Sequence, residues 1–222
     1  MCNWLQIQEN ACDPMHTFVL HSQSSGIQFT EAFAVRPDID FERTSISVRY
    51  MRDATLPNGN LFHRVAEVFV PNARSIPPQT PTGEKAISEP GRIIGWWVPV
   101  DDTRTIGFHI EALPLVDGKP EDSVWQNAPE GMSNRNVPPP RSYEDTQRNP
   151  GDREAQLSQG PIAVHALEHL ATSDRGIAMF RRMLKEATQA VARGEDPPGI
   201  LRDPNQMVVS VGARNEVQTP AT

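Results

Sequence analysis

The chain has 222 residues, 37% of them hydrophobic and 22% charged, which is enough for one domain with a buried core. Its net charge of −7, from 21 basic and 28 acidic side chains without a Lys/Arg run, argues against nucleic acid as a partner. No apolar window reaches the roughly 18 residues of a membrane span, the start is not that of a signal peptide, and Cys2 and Cys12 make no C-x-x-C pair, so a cytoplasmic location is expected and any metal has to use histidine and carboxylate.

Residues 3–22 read as a mostly helical start, in which Asp13-Pro14 supplies an N-cap and a first-turn proline for a helix over about 14–22. Runs rich in Val, Ile, Phe and Trp follow at 27–35, 45–53, 61–71, 92–100 and 105–116 and predict strands, with turn signals "LPNGN" (56–60) and "VDDT" (100–103) joining them as an antiparallel sheet. The stretch 117–151 is rich in proline and glycine and predicts a long loop. A helix is expected from Asp152 to about Leu170. Thr172-Ser173-Asp174 then caps another that runs to about Arg193, with Ile177, Phe180, Met183, Leu184, Ala187 and Val191 as its apolar stripe. "QMVVSVGA" (206–213) predicts a last strand. The fold class expected is α+β: one domain over 1–222, a curved antiparallel sheet wrapped around long helices in a helix-grip manner, with a ligand cavity between them.

The front of the chain carries the chemistry. "DPMHTFVLH" (13–21) places His16 and His21 five residues apart, about 140° from each other on a regular helix, a poor clamp for a metal. An extra residue in one turn, a π-bulge of the kind found at functional sites, would correct that angle. Asp13, three residues before His16, stands where it can accept a hydrogen bond from that imidazole. Two imidazoles need a third ligand, and two His with one carboxylate is the set that leaves positions open on non-haem Fe(II); zinc hydrolysis can use the same donors. On spacing alone the competing reading is that His16 is a capped surface residue and His21 packs at a helix end.

"NWLQIQENACDPMHTFVLH" (3–21) resembles the iron-binding segment of the catalytic domain of Rieske non-haem iron oxygenases, in which a Glu-Asn pair, an Asp and His-x4-His follow in order. "DREAQLSQGPIAVHALEHLATSDRGIAMFRRML" (152–184) resembles the C-terminal segment of the phthalate dioxygenase and aromatic O-demethylase branch, and "WWVPVDDTRT" (96–105) resembles a strand and turn of the same branch. The resemblance implies His16 and His21 as imidazole ligands, Asp152 as the carboxylate ligand, Asn10 beside the iron, and Asp13 as the link toward a cluster-binding histidine of the neighbouring subunit in a homotrimer. It implies Fe(II), O2 and an aromatic substrate, hydroxylated or oxidatively O-demethylated, with electrons from a ferredoxin or reductase by way of a [2Fe–2S] cluster.

That family carries its cluster on an N-terminal domain with a C-x-H…C-x2-H motif, which is not found in this sequence, so the cluster is expected on a missing domain or another polypeptide. Other acids, Glu154 and Asp145, are weaker candidates for the carboxylate, and His165, Glu168 and His169 make an H-x2-E-H cluster open to a zinc-hydrolase reading. His63 and His109 are expected in the core or a pocket wall, and at least one of Trp96 and Trp97 can face a pocket. Arg49, Arg64 and Arg104 are candidates to meet an anionic aromatic acid. A non-catalytic binder of hydrophobic ligands on the same scaffold is the third reading.

Overall fold

A computed structural model describes residues 2–24, 26–77, 93–111, 115–116, 119–120, 141–206 and 209–219. Helix α1 (Trp4–Asn10) begins where the Asn3 side chain accepts the Leu5 N–H at 2.9 Å. After it, Asp13 Oδ1 accepts the N–H groups of Met15 (2.9 Å) and His16 (3.2 Å), the predicted capping role, and starts the short helix α2 (Met15–Phe18). The expected single helix over 14–22 is corrected at this point: α2 passes into a π-helix, Val19–Ser24, so the wide turn that the histidine spacing demands is present.

The main sheet is antiparallel, in the order β1 (Asp38–Arg43), β2 (Ser47–Thr55), β3 (Leu61–Phe69), β4 (Ala73–Ile76), β5 (Ile93–Asp101) and β6 (Arg104–Glu111), with β9 (Arg214–Gln218) also paired to β3. Strands β7 (Leu115–Val116) and β8 (Lys119–Pro120) form a separate pair. Both predicted turns join strands: Gly59 supplies a positive φ of 85° between β2 and β3, and Asp101 Oδ1 accepts the Thr103 N–H between β5 and β6. Two strand expectations are corrected. Residues 27–35 hold a 3₁₀ turn, Glu31–Ala34, and the strand follows it as β1; of the expected strand 206–213, residues 207–208 lie outside the described residues and 209–213 form no strand, and β9 follows directly.

Within 117–151, residues 117–118 and 121–140 lie outside the described residues, and α3 (Tyr143–Arg148) is a helix where a loop was expected. The helix expected from Asp152 to Leu170 is shorter: α4 (Asp152–Ser158) stops before Gly160, which takes φ 87° ahead of Pro161. The chain beyond lies against α1, where the Pro161 carbonyl accepts the Asn3 N–H (2.8 Å) and the Ala163 N–H reaches Gln6 Oε1 (3.0 Å).

Helix α5 (Arg175–Ala192) is the long helix, and it ends ahead of Gly194 at φ 76°. Its buried stripe is Gly176, Phe180, Met183, Ala187 and Ala190; Val191, expected on the stripe, is exposed. Phe180 and Met183 pack with Val48 and Val68 of the sheet, with Val70 just beyond β3, and with Ala11 and Cys12. This core sits directly beneath the segment that carries the two histidines. Arg181 fixes α1 to α5 by a fork on Glu9 (2.6 and 2.7 Å) while also gripping Glu168 (2.5 and 3.0 Å). The observed architecture is therefore α+β with an open antiparallel sheet. Among the described residues, no helix is long and apolar enough to cross a membrane.

Candidate metal centre

His16 rides on α2, His21 on the π-helix, and Asp152 is the first residue of α4. The wider π turn brings the two rings to 5.4 Å between centroids instead of turning them apart. Asp152 Oδ1 lies 3.3 Å from His16 Nε2 and 2.9 Å from His21 Nε2, and one ligand atom from each of the three residues falls within 4.8 Å of the others. Among the described residues this is the one group of three or more His, Cys, Asp or Glu with such spacing.

The outer nitrogens of both rings are committed. His16 Nδ1 meets the main-chain carbonyl of Asp13, and His21 Nδ1 meets Gln28 Oε1 at 2.7 Å. Gln28 Nε2 donates to the Pro150 carbonyl (3.1 Å), which can only accept, so the amide oxygen faces His21. A carbonyl partner requires N–H at Nδ1, and each neutral ring then aims its Nε2 lone pair toward Asp152. Two lone pairs and a carboxylate converging on one point repel one another unless a cation, a proton or a metal ion, stands between them. The donor set thus fits a divalent ion with nitrogen and oxygen ligands.

The electrostatics agree with this picture. Burial alone would raise the Asp152 carboxyl, but hydrogen bonds from His16 and His21 outweigh it and hold Asp152 well below the usual carboxylate range. Burial likewise pushes His16 down, and Asp152 and Asp13 more than reverse that, so its ring is raised from the ordinary histidine value. Asp13 itself is raised, chiefly by burial, against the pull of His16. In the metal-free protein, protons take the place of the cation.

Of the residues expected at the centre, His16, His21 and Asp152 come together, and Asn10 stands beside them, its Nδ2 donating to Asp152 Oδ1 at 3.1 Å. Asp13 is adjacent: one carboxylate oxygen, Oδ1, accepts the α2 N–H groups, and the His16 ring faces its backbone carbonyl where the carboxylate was expected. Glu154 accepts the Gly151 N–H (2.8 Å) and Asp145 sits in α3, so neither joins the centre. His165 and His169 are exposed on an irregular segment, not on one helix face, and Glu168 is held by Arg181, so no zinc cluster forms there. His63 pairs with Asp53 across two strands, and His109 stacks edge-on against Trp97 (5.2 Å). Arg49 pairs with Glu42 and Glu67, and Arg64 is buried against Asn215 and Pro77.

Sequence reasoning missed Gln28, because a glutamine in an expected strand carries no signal of a role at His21. It also missed Arg74, which has the same anonymity in β4. Arg74 lines a cavity of about 760 Å³ together with Trp97, Arg104, Asn10 and Asp152, so the cavity opens onto the centre.

An α+β domain that converges two imidazoles and one carboxylate beside such a cavity has the donor set that a mononuclear centre of the two-histidine, one-carboxylate class requires. Comparison with known proteins gives the family. The chain is 37% identical over 214 residues to the phenoxybenzoate dioxygenase subunit alpha of Ectopseudomonas oleovorans, covering 96% of this chain and 49% of that one. It is 31% identical over 218 residues to the tert-butanol monooxygenase / tert-amyl alcohol desaturase oxygenase subunit of Aquincola tertiaricarbonis (90% and 45%), and 29% identical over 237 to the phthalate 4,5-dioxygenase oxygenase subunit of Pseudomonas putida (89% and 51%). No family model matches the sequence. The chain belongs with the oxygenase subunits of Rieske-type oxygenases, as the sequence resemblance implied, and it spans about half the length of the curated relatives it matches.

Proposed function

We propose that this chain is the catalytic domain, residues 1–222, of a Rieske-type oxygenase, with Fe(II) held by His16, His21 and Asp152. When bound there, Fe(II) supplies the one-electron chemistry through which O2 becomes able to attack an organic substrate. The observation that carries the reading is the convergence of two Nε2 lone pairs on Asp152 Oδ1, with both outer nitrogens already engaged.

The chain's own residues set the geometry. The Asp13 carbonyl and Gln28 hold the two rings in the tautomer that frees Nε2. Asn10 donates to Asp152 Oδ1 and restrains rotation of the carboxylate. The cavity binds and orients the substrate and keeps bulk water from the reacting face. The substrate is an aromatic compound, and the reaction is hydroxylation or oxidative O-demethylation, a reading supported by the activities named in the relatives, phenoxybenzoate and phthalate dioxygenases and 5,5'-dehydrodivanillate O-demethylase. Electrons come from a [2Fe–2S] cluster carried outside these residues and fed by a ferredoxin or reductase, since two lone cysteines, both buried, cannot hold it. Asp13, at the capped turn next to His16, lies on the path by which they arrive. In the complete enzyme we expect the homotrimer and helix-grip arrangement of the family, working in the cytoplasm.

The test is anaerobic Fe(II) titration by calorimetry. Wild type is expected to bind one equivalent, and His16→Ala and Asp152→Ala are each expected to lose at least about a hundredfold in affinity, because two remaining ligands do not hold the ion. Binding indifferent to both changes would overturn the reading.

A further inference from the structure

The segment that follows the π-helix is held by a buried cation. Arg52 of β2 is 0% exposed, and the residue facing it across the β2–β3 ladder is Arg64, a second buried arginine. Among the described residues, the hydrogen-bond partners of Arg52 are carbonyls. Its Nη2 donates to Ala32 (3.2 Å), Phe33 (3.3 Å) and Val35 (3.0 Å), at the end of the 3₁₀ turn Glu31–Ala34, where backbone acceptors have no partner within the turn. The guanidinium also lies over the Phe33 (5.0 Å) and Phe62 (5.7 Å) rings.

Burial lowers Arg52 to about 10, Tyr50 opposing the shift and Arg64 adding to it, so it is still a cation at neutral pH. An apolar side chain would fill the same core space without desolvating a charge beside a like charge. What an apolar side chain cannot supply is a donor to three carbonyls at once.

The turn that Arg52 grips is continuous with the surroundings of His21. Phe33, with the Arg64 guanidinium 5.2 Å from its ring as well, meets Phe29 edge-on at 5.6 Å, and Phe29 lies 4.4 Å from the His21 ring. One residue before Phe29, the Gln28 N–H donates to the His21 carbonyl (2.9 Å), while the Gln28 side chain meets His21 Nδ1. Residues 28–35 are therefore anchored at both ends, on Arg52 and on His21, and the two side chains that set the direction of the imidazole come from this one segment.

We propose that Arg52 is a positioning residue of the centre: by gripping the turn at Ala32, Phe33 and Val35 it fixes Phe29 and Gln28 against His21, and so directs the His21 Nε2 lone pair at Asp152. The inference rests on the reading of His21 as a metal ligand, and it extends that reading to a residue two strands' worth of packing away that acts through the turn.

The experiment is a double-mutant cycle in the full chain, with Co(II) as the probe, since its visible absorption reports the ligand geometry, and with amide hydrogen exchange of the metal-free protein beside it. Arg52→Met keeps the straight stem and removes the donors. It is expected to weaken Co(II) binding at least about threefold, less than the loss of a direct outer partner, and to change the absorption, with Arg52→Lys recovering part of the affinity. In a Gln28→Leu background the effect of Arg52→Met is expected to vanish, because the route to His21 is already cut. Phe62→Leu loosens the same core without touching the turn carbonyls, and is expected to lower the urea midpoint at unchanged Co(II) affinity. In metal-free protein the Gln28 N–H is expected to exchange at least about tenfold faster in Arg52→Met than in wild type, and not in Phe62→Leu.

Wild-type affinity and absorption in a folded Arg52→Met, an equal loss with and without Gln28, or an equal loss in Phe62→Leu would overturn the proposal. Where Arg52→Met does not fold, Phe29→Leu interrupts the same series nearer the ring, and wild-type Co(II) binding by both Phe29→Leu and Arg52→Lys would overturn it as well. The exchange measurement needs no ion. A chain that binds no Co(II) yet shows the faster Gln28 exchange would lose the metal reading and keep the link from Arg52 to His21, and tight Co(II) binding with unaltered exchange would do the reverse.

Discussion

Gln28 shows how much of the centre depends on one neutral side chain. It donates to the Pro150 carbonyl, two residues before Asp152, while accepting from His21, so one amide ties an imidazole ligand to the approach of the carboxylate ligand. Replacing it by leucine, which is similar in size but neither accepts nor donates, frees the His21 ring to take either tautomer. The expected result for Gln28→Leu is a ten- to hundredfold weaker Fe(II) affinity, a typical cost of losing such an outer partner, with the melting temperature of the metal-free protein little changed. Calorimetry beside a thermal melt checks it, and unchanged affinity would mean that the ring is held by its stacking on Phe29 (4.4 Å) alone. The ligands themselves were legible in the sequence because metal chemistry restricts them to a few residue types and the resemblance aligned both segments. Gln28 was not legible, since its role comes from which atoms face it, and residue type carries none of that information.

At the scale of elements, the approach of α5 to the histidine segment is set by a glycine. Gly176 sits in the first turn of the helix, where alanine would ordinarily be favoured by up to about 1 kcal/mol. Here a Cβ would strike the Phe41 ring and stand 2.7 Å from the Cys12 carbonyl, one residue ahead of Asp13. Backbone on one side and a packed ring on the other leave little to yield, so the sign reverses: Gly176→Ala is expected to destabilise by about 1–3 kcal/mol, seen as a lower urea midpoint. A stabilised variant would show that α5 can slide without disturbing the core. The same contrast separates what periodicity disclosed from what it hid. The apolar stripe of α5 and the alternation in β2, with Val48, Tyr50, Arg52 and Ala54 buried, are signals of one face against one core. The span 27–35 has the composition of a strand but packs its Phe33 against Phe62 from a 3₁₀ turn whose carbonyls are taken by the buried Arg52, a tertiary contact that composition cannot show. The helix after Asp152 was overextended because Gly160-Pro161, a break signal, lay within a run of otherwise helix-compatible residues.

On the scale of the whole molecule, the centre joins segments more than a hundred residues apart, and the energy of closing it is linked to folding. Asp152 reaches His21 from 131 positions away, so an ion that binds only the assembled set stabilises the fold by mass action, about 2.7 kcal/mol at a hundred times its dissociation constant. Protons compete for the same point. The His16 value is raised above its unfolded one, so in the metal-free protein its pairing with Asp152 contributes stability that is fully present below the unfolded histidine pKa and is lost as pH rises through the folded one. Asp152 is depressed, so its contribution is present above the unfolded carboxylate value and is lost only in strong acid. As pH rises through the raised His16 value, the metal-free protein therefore loses a cation at the centre just where an ion, no longer opposed by the His16 proton, binds more tightly. The rise in melting temperature on adding Fe(II) anaerobically is expected to be larger at pH 8 than at pH 6, and absent at both in Asp152→Ala. An increment independent of pH, or one that survives in Asp152→Ala, would mean that the ion binds somewhere other than the point where the two imidazoles and the carboxylate meet.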